Sequence, residues 1–193
     1  MEAFSDGVLA IIITVMVLEL KAPGGSSLHD LWHDSHLSLL TYLLSFIYIG
    51  IYWNNHHHLL RTAQHVSGAV MWANLHLLFW LSLYPFTTNW MDERHLARTP
   101  TVIYGVNLLG AAIAYTILQR LLLNQPDTGA QLREALGADY KGKLSPVLYL
   151  AGIGLCFVRP WLGLIPFALV AAIWLIPDPR VERYLSEQRA SAS

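Results

Sequence analysis

Three otherwise apolar segments of the sequence carry polar and aromatic side chains whose spacing could support a shared hydrogen-bonded network. They are Phe4, Ser5 and Asp6 in the first segment, Trp53 and His57 in the second, and Trp72, Asn74 and His76 in the third. Residues four apart lie on one helix face, so Trp53 pairs with His57 and Trp72 with His76. An imidazole or an amide can donate a hydrogen bond to a carboxylate such as Asp6. We therefore predict hydrogen bonding between the segments, with a carboxylate hydrated at headgroup level as the alternative.

The run of three histidines, His56, His57 and His58, calls for comparison with metal sites, because imidazole is a common metal ligand. Neighbouring residues on a helix point about 100° apart, so these three rings cannot converge on one ion. The nearest candidate site would combine one of them with His76 and Asp6. We expect structural hydrogen bonding, no structural metal and no cofactor, with pH sensing as the alternative role.

A second histidine group lies in the first predicted outer loop, where His29, His33 and His36 alternate with Asp30 and Asp34. This spacing could hold a surface cation weakly. A polar amphipathic stretch is the simpler interpretation, and no metal is assigned to it.

No motif for covalent catalysis occurs in the sequence. It has no G-x-S-x-G and no phosphate-cradling glycine loop, so we expect a protein that is not an enzyme. The single cysteine, Cys156, excludes an internal disulfide framework and is interpreted as a small buried residue. Gly152 and Gly154 lie in an apolar segment and indicate close helix packing.

The composition indicates an integral membrane protein. Of 193 residues, 54% are apolar, 11% aromatic and 13% charged, and the net charge is −1. Soluble domains carry about 25% charged residues, so roughly half of the usual solvating charge is missing. The chain has no excess of positive charge that would attract nucleic acid. The partners expected are membrane lipid and further copies of the chain, and no small-molecule substrate is expected.

Apolar stretches long enough to cross a bilayer predict an all-α protein with six transmembrane helices. The predicted spans are residues 4–20, 37–60, 68–90, 101–123, 144–158 and 161–176. They form one domain over residues 1–177, followed by a charged tail over 178–193, and residues 131–140 are read as a short surface helix. Because the last two spans are short, one broken pass is the alternative for that pair.

The distribution of basic residues predicts that both termini are cytoplasmic. Eight basic residues fall in inner segments and four in outer ones: Arg61, Arg120, Arg133, Lys141, Lys143, Arg180, Arg183 and Arg189 against Lys21, Arg94, Arg98 and Arg159. This orientation brings the three polar segments to a similar depth near the inner leaflet.

The first predicted helix has two different faces. On a helical wheel Ile11, Val15 and Leu18 lie within about 60° of one another, and Thr14 lies beside them. Asp6 lies about 140° from Ile11, away from this stripe. One stripe cannot enclose a pore, so a pore would require several copies of the chain.

The residues of the first half resemble the transmembrane protein 175 family, which comprises bacterial and lysosomal potassium channels without a TVGYG filter. The resemblance rests on five motifs in order, within residues 2–90; the second half matches only in layout. They are EAFSDGVLAI at residues 2–11, VLELK at 17–21, YWNNHH at 52–57, WANL at 72–75 and LYPFT at 83–87.

The resemblance implies a homotetramer in which the first helix lines a central pore. Ile11 would form the main hydrophobic constriction, Val15 and Leu18 would follow it outward, and Thr14 would match a hydroxyl layer tied to potassium preference. Phe4, Ser5 and Asp6 would lock this helix onto the second and third through His57 and Asn74. Family members also carry an arginine four residues before the phenylalanine, which is expected to brace neighbouring subunits. Here that position would precede Met1, so this role is assigned to no residue.

The function predicted is a potassium-selective leak channel in the cell membrane, of bacterial type, with K⁺ in its pore. It is not voltage-gated, because no arginine-rich sensor helix occurs. Glu19, beside the outer end of the stripe, is a candidate ring of cation-attracting charge, and pairing with Lys21 is its alternative. The alternative functions are a small proton- or cation-coupled transporter using Asp6 and the inner histidines, and an intramembrane metalloenzyme.

Overall fold

The computed structural model describes residues 1–61, 66–125 and 140–175, and every regular element in these ranges is a helix. The helices are α1 (Glu2–Leu18), α2 (Leu28–Arg61), α3 (Gly68–Ser82), α4 (Tyr84–Glu93), α5 (Arg98–Leu123), α6 (Tyr140–Cys156) and α7 (Pro160–Leu175). The charged tail and nearly all of the surface helix predicted at residues 131–140 lie outside the described residues.

Within the described ranges, three helical stretches are long and apolar enough to cross a membrane: Leu28–Arg61, Gly68–Glu93 and Arg98–Leu123. The remaining helices are shorter, since α1 and α6 have 17 residues each and α7 has 16. An all-helical fold is therefore established for the described residues, whereas the count of six crossings and the cytoplasmic termini remain predictions.

Helix α2 begins at Leu28, whereas the predicted second span begins at residue 37. Ser27 and Asp30 form a reciprocal cap: the Asp30 carboxylate accepts from the Ser27 backbone N–H at 3.0 Å, and the Ser27 hydroxyl accepts from the Asp30 N–H at 3.1 Å. Such a cap satisfies backbone donors that a helix start leaves free. His29, His33 and His36 therefore lie on a helix and not in a loop.

The predicted third span is divided in two. Helix α3 ends at Ser82, and α4 begins at Tyr84 with Pro85 in its first turn. Proline lacks a backbone N–H and is tolerated at the first helical position, so it ends one helix and starts another.

Close packing in the second half depends on small residues. A Cβ at Gly110 of α5 would lie 2.5 Å from the ring of Trp80, so α3 and α5 approach closely there. In the α6–α7 hairpin a Cβ at Gly163 would lie 2.8 Å from the backbone oxygen of Gly152. Gly152 thus has the predicted packing role, whereas Gly154 faces open space, and Cys156 is buried.

Candidate functional site

Helix α1 presents one face to the rest of the chain and leaves the other uncovered. Ser5, Leu9, Ile12 and Met16 are buried against α2, α3 and α4. The opposite face is apolar and exposed in the single chain: Ile11 is 63% exposed, Val15 37% and Leu18 80%. The stripe found on the helical wheel is therefore an uncovered surface of this fold.

Thr14 lies on this uncovered face beside Ile11. Its hydroxyl donates to the Ile11 backbone oxygen at 2.9 Å, which fixes the orientation of the side chain. Because the proton is used within the helix, the hydroxyl oxygen has lone pairs left to offer to an ion or to water.

The covered face of α1 is tied to α2 and α3 by a buried polar cluster of three residues: Ser5, His56 and Asn74. The Asn74 amide donates to the Ser5 hydroxyl at 3.0 Å, and the Asn74 oxygen lies 2.6 Å from His56 Nε2. An amide oxygen only accepts, so His56 carries its proton on Nε2 in this arrangement. One asparagine thus joins three helices.

The Asp6 carboxylate contacts α2 in its own chain. Trp53 donates from its ring N–H to Asp6 Oδ1 at 3.1 Å. Asp6 is half-buried and does not lie on the exposed stripe. The geometry therefore agrees with the helical wheel, which places the Asp6 carboxylate and the apolar stripe on different faces of α1.

His57 contacts α1 through a different acid from the one expected. Its Nδ1 lies 2.8 Å from Glu2 Oε1, although the two groups are not aligned as a hydrogen bond. The His57 ring stacks on Trp53 with centroids 6.1 Å apart. The structure thus places His57 beside Glu2, and gives the contact with Asn74 to His56.

The other residues predicted for the network lie outside it. Phe4 is 58% exposed and Trp72 75% exposed. His76 accepts from the ring N–H of Trp80 at 3.0 Å, one turn along the same helix. These three side chains are therefore not joined to Asp6 by the described contacts.

It was not predicted from the sequence that His56 would bind Asn74 or that His57 would contact Glu2. Tyr52, His56 and Leu59 are spaced four and three apart and are all buried, but Trp53, His57 and Leu60 have the same spacing, so periodicity alone does not select His56. A histidine that falls on an otherwise apolar stripe of a helix is a candidate for an interior hydrogen bond.

The C-terminal end of α1 leads into a second ionic contact. Lys21 forms an ion pair with Glu93 of α4 at 2.7 Å, and this hydrogen bond raises the pKa of the Lys21 ammonium. Lys21 therefore takes Glu93 as its partner and not Glu19, the pairing considered as the alternative for that carboxylate. Glu19 is exposed.

One group of side chains among the described residues has donor atoms close enough together to hold a metal ion. Glu2, Asp6 and His57 each offer one ligand atom, and these atoms lie within 4.8 Å of one another. The site anticipated from the sequence, which included His76, is not the one that forms.

Comparisons with known proteins give a consistent result. The family model described as "Endosomal/lysosomal potassium channel TMEM175" matches residues 1–85. A potassium channel of Chryseobacterium sp. (strain P1-3) is 50% identical over 190 residues, which cover 97% of each chain. A potassium channel of Chamaesiphon minutus is 33% identical over 181 residues, covering 84% of this chain and 85% of that one.

A solved structure is similar over nearly the whole length. It is the crystal structure of a lysosomal potassium-selective channel TMEM175 homolog from Chamaesiphon minutus, at 29% identity and a TM-score of 0.72. The match covers 90% of this chain and 94% of that chain. The likeness therefore extends beyond the N-terminal motifs to the arrangement of the helices.

Proposed function

Because the chain belongs to the TMEM175 family of potassium channels, we propose that it forms a potassium-selective leak channel in the cell membrane of a bacterium. Proteins of this family are ion channels and not enzymes. The relatives that match come from Chryseobacterium, Streptomyces collinus and Chamaesiphon minutus, which supports a bacterial setting.

The observation that carries the proposal is the division of α1 into two faces. A hydrogen-bonded face is held against α2 and α3, and an exposed face carries Ile11, Val15 and Leu18. The exposed face is an apolar stripe with the Thr14 hydroxyl beside it, and the buried polar groups of α1 lie on the other face. Such a face is suited to packing against the same face of other copies of the chain.

One such helix cannot surround an ion pathway. Four copies related by a closed symmetry axis would bring the exposed faces together around a shared centre. Ile11 would then form the narrowest ring, with Val15 and Leu18 further outward. A hydrophobic constriction of this kind can gate conduction by dewetting.

Cation preference would come from two polar layers next to the constriction. The Thr14 hydroxyl oxygen offers lone pairs one turn beyond Ile11, where K⁺ exchanges part of its hydration shell. Glu19 would add a ring of negative charge at the outer end, since Lys21 is paired with Glu93. Permeant potassium is the only ion that the proposed mechanism requires.

The channel would leak and not respond to voltage. A voltage sensor needs several arginines along one membrane-crossing helix. The long helix α5 has Arg98 in its first turn and Arg120 near its end, and neither lies in the middle of the segment. Membrane potential therefore has no row of charges in α5 to act upon.

Recordings from the purified protein in planar bilayers test this proposal. With excess KCl on one side and excess NaCl on the other, and both salts present on each side, we expect unitary current steps whose reversal potential lies close to the K⁺ equilibrium potential. The open probability should not change with voltage. Protein-free bilayers are the control. Equal K⁺ and Na⁺ permeability would refute selectivity, and saturating flux without unitary steps would favour the transporter.

A further inference from the structure

Two helices bring three potential metal ligands together at the start of α1. Glu2 and Asp6 lie one turn apart on α1, and His57 lies near the end of α2. Their ligand atoms fall within 4.8 Å of one another, and His57 Nδ1 is 2.8 Å from Glu2 Oε1. Tetrahedral zinc with bonds of about 2.0 Å separates its ligand atoms by roughly 3.3 Å, so small side-chain rotations would suffice.

The ligand set has the chemistry of a transition-metal site. Two carboxylates and one imidazole suit Zn²⁺ and neighbouring divalent ions, with water completing the coordination shell. Mg²⁺ and Ca²⁺ prefer oxygen ligands alone. The single nitrogen ligand therefore favours a zinc-like ion over these two.

One neighbouring side chain, Trp53, already orients two of the ligands. Trp53 donates to Asp6 Oδ1, which leaves the second carboxylate oxygen for a metal. The same tryptophan stacks on the His57 ring with an interplanar angle of 29°. Contacts that orient metal ligands in this way increase affinity, because less freedom is lost on binding.

Charge favours a cation at the same place. Two carboxylates come together at a half-buried position, and like charges in such a place repel each other. His57 is in ion-pair contact with Glu2, and its buried Nδ1 has no aligned hydrogen bond. A divalent ion would offset this repulsion and give that nitrogen a bond.

We propose that Glu2, Asp6 and His57 bind one zinc-like divalent ion per chain and thereby clamp the first turn of α1 to α2. The binding itself is independent of the conduction pathway. Its consequence for current rests on the proposed function, because it follows only if α1 lines the pore.

Zinc titration of the purified channel, with its affinity tag removed, tests the site directly. We expect calorimetry to give one ion per chain for the wild type. Glu2→Gln and His57→Gln should each weaken binding by at least about tenfold. His58→Gln, which removes the adjacent imidazole outside the ligand set, is the matched control and should stay within about twofold. Added Mg²⁺ should not displace the zinc.

Thermal unfolding gives a second readout. A ligand that binds only the folded state raises Tm, so ZnCl₂ should stabilise the wild type and His58→Gln but not Glu2→Gln. If His57→Gln does not fold, Glu2→Gln decides the result. Absence of zinc binding in the wild type, or equal binding by Glu2→Gln, would overturn the site. Either result would leave the potassium current of the wild type, and hence the proposed function, intact.

Discussion

Replacing Ile11 with asparagine should raise the Na⁺ current about tenfold, which corresponds to a barrier lower by about 1.4 kcal/mol. The polar amide would hydrate a ring that isoleucine keeps dry, so partly hydrated sodium would pass as well. The reversal potential in opposed K⁺ and Na⁺ solutions should accordingly move toward zero. Bilayer recordings from the variant and the wild type measure both quantities.

Ile165→Asn is the matched control for this experiment. Ile165 is 57% exposed in the single chain, similar to Ile11, but it lies on α7. Helix α1 packs mainly on α2, α3 and α4, whereas α7 packs mainly on α6. The control should keep the wild-type reversal potential. An unchanged K⁺/Na⁺ permeability ratio in Ile11→Asn would show that Ile11 does not form the constriction.

Asn74→Leu should destabilise the folded protein by about 2 kcal/mol, because two buried groups each lose a hydrogen-bond partner. The Ser5 hydroxyl loses the donor at 3.0 Å, and His56 Nε2 loses the acceptor at 2.6 Å. Leucine has the same number and branching of side-chain heavy atoms, so the loss reflects hydrogen bonding more than shape. Unfolding in increasing sodium dodecyl sulfate, followed by far-ultraviolet circular dichroism, measures the change.

Asn54→Leu makes the same substitution on α2 at an exposed position and is the control. It should unfold at the wild-type detergent concentration. If Asn74→Leu matched this control, the buried cluster would contribute nothing to holding α1 in place.

The two-faced character of α1 was predictable from the sequence, because it depends only on helical periodicity. The wheel separates Ile11 from Asp6 whatever the helix packs against. The choice among His56, His57 and His58 was not predictable in the same way. Three identical side chains in a row leave the rotation of α2 to decide which one is buried, and tertiary packing sets that rotation.

Helix boundaries were predictable where a local signal exists. Ser27 and Asp30 have the spacing of a capping box, which explains why α2 extends to Leu28. Pro85 similarly marks the division between α3 and α4. Hydropathy alone joins adjacent helices into one span or places a helix end too late. It records where a segment is apolar and not where its backbone donors are satisfied.

Thiol modification of α1 tests most directly whether its exposed face lines the ion pathway. In a Cys156→Ala background, which removes the only cysteine, Leu18→Cys would be exposed and Met16→Cys, at 3% exposure for the native side chain, would be buried. We predict that a charged, membrane-impermeant methanethiosulfonate reagent irreversibly reduces the Leu18→Cys current and leaves the Met16→Cys current unchanged. Complete labelling of Leu18→Cys without any change in current would contradict a pore lined by α1.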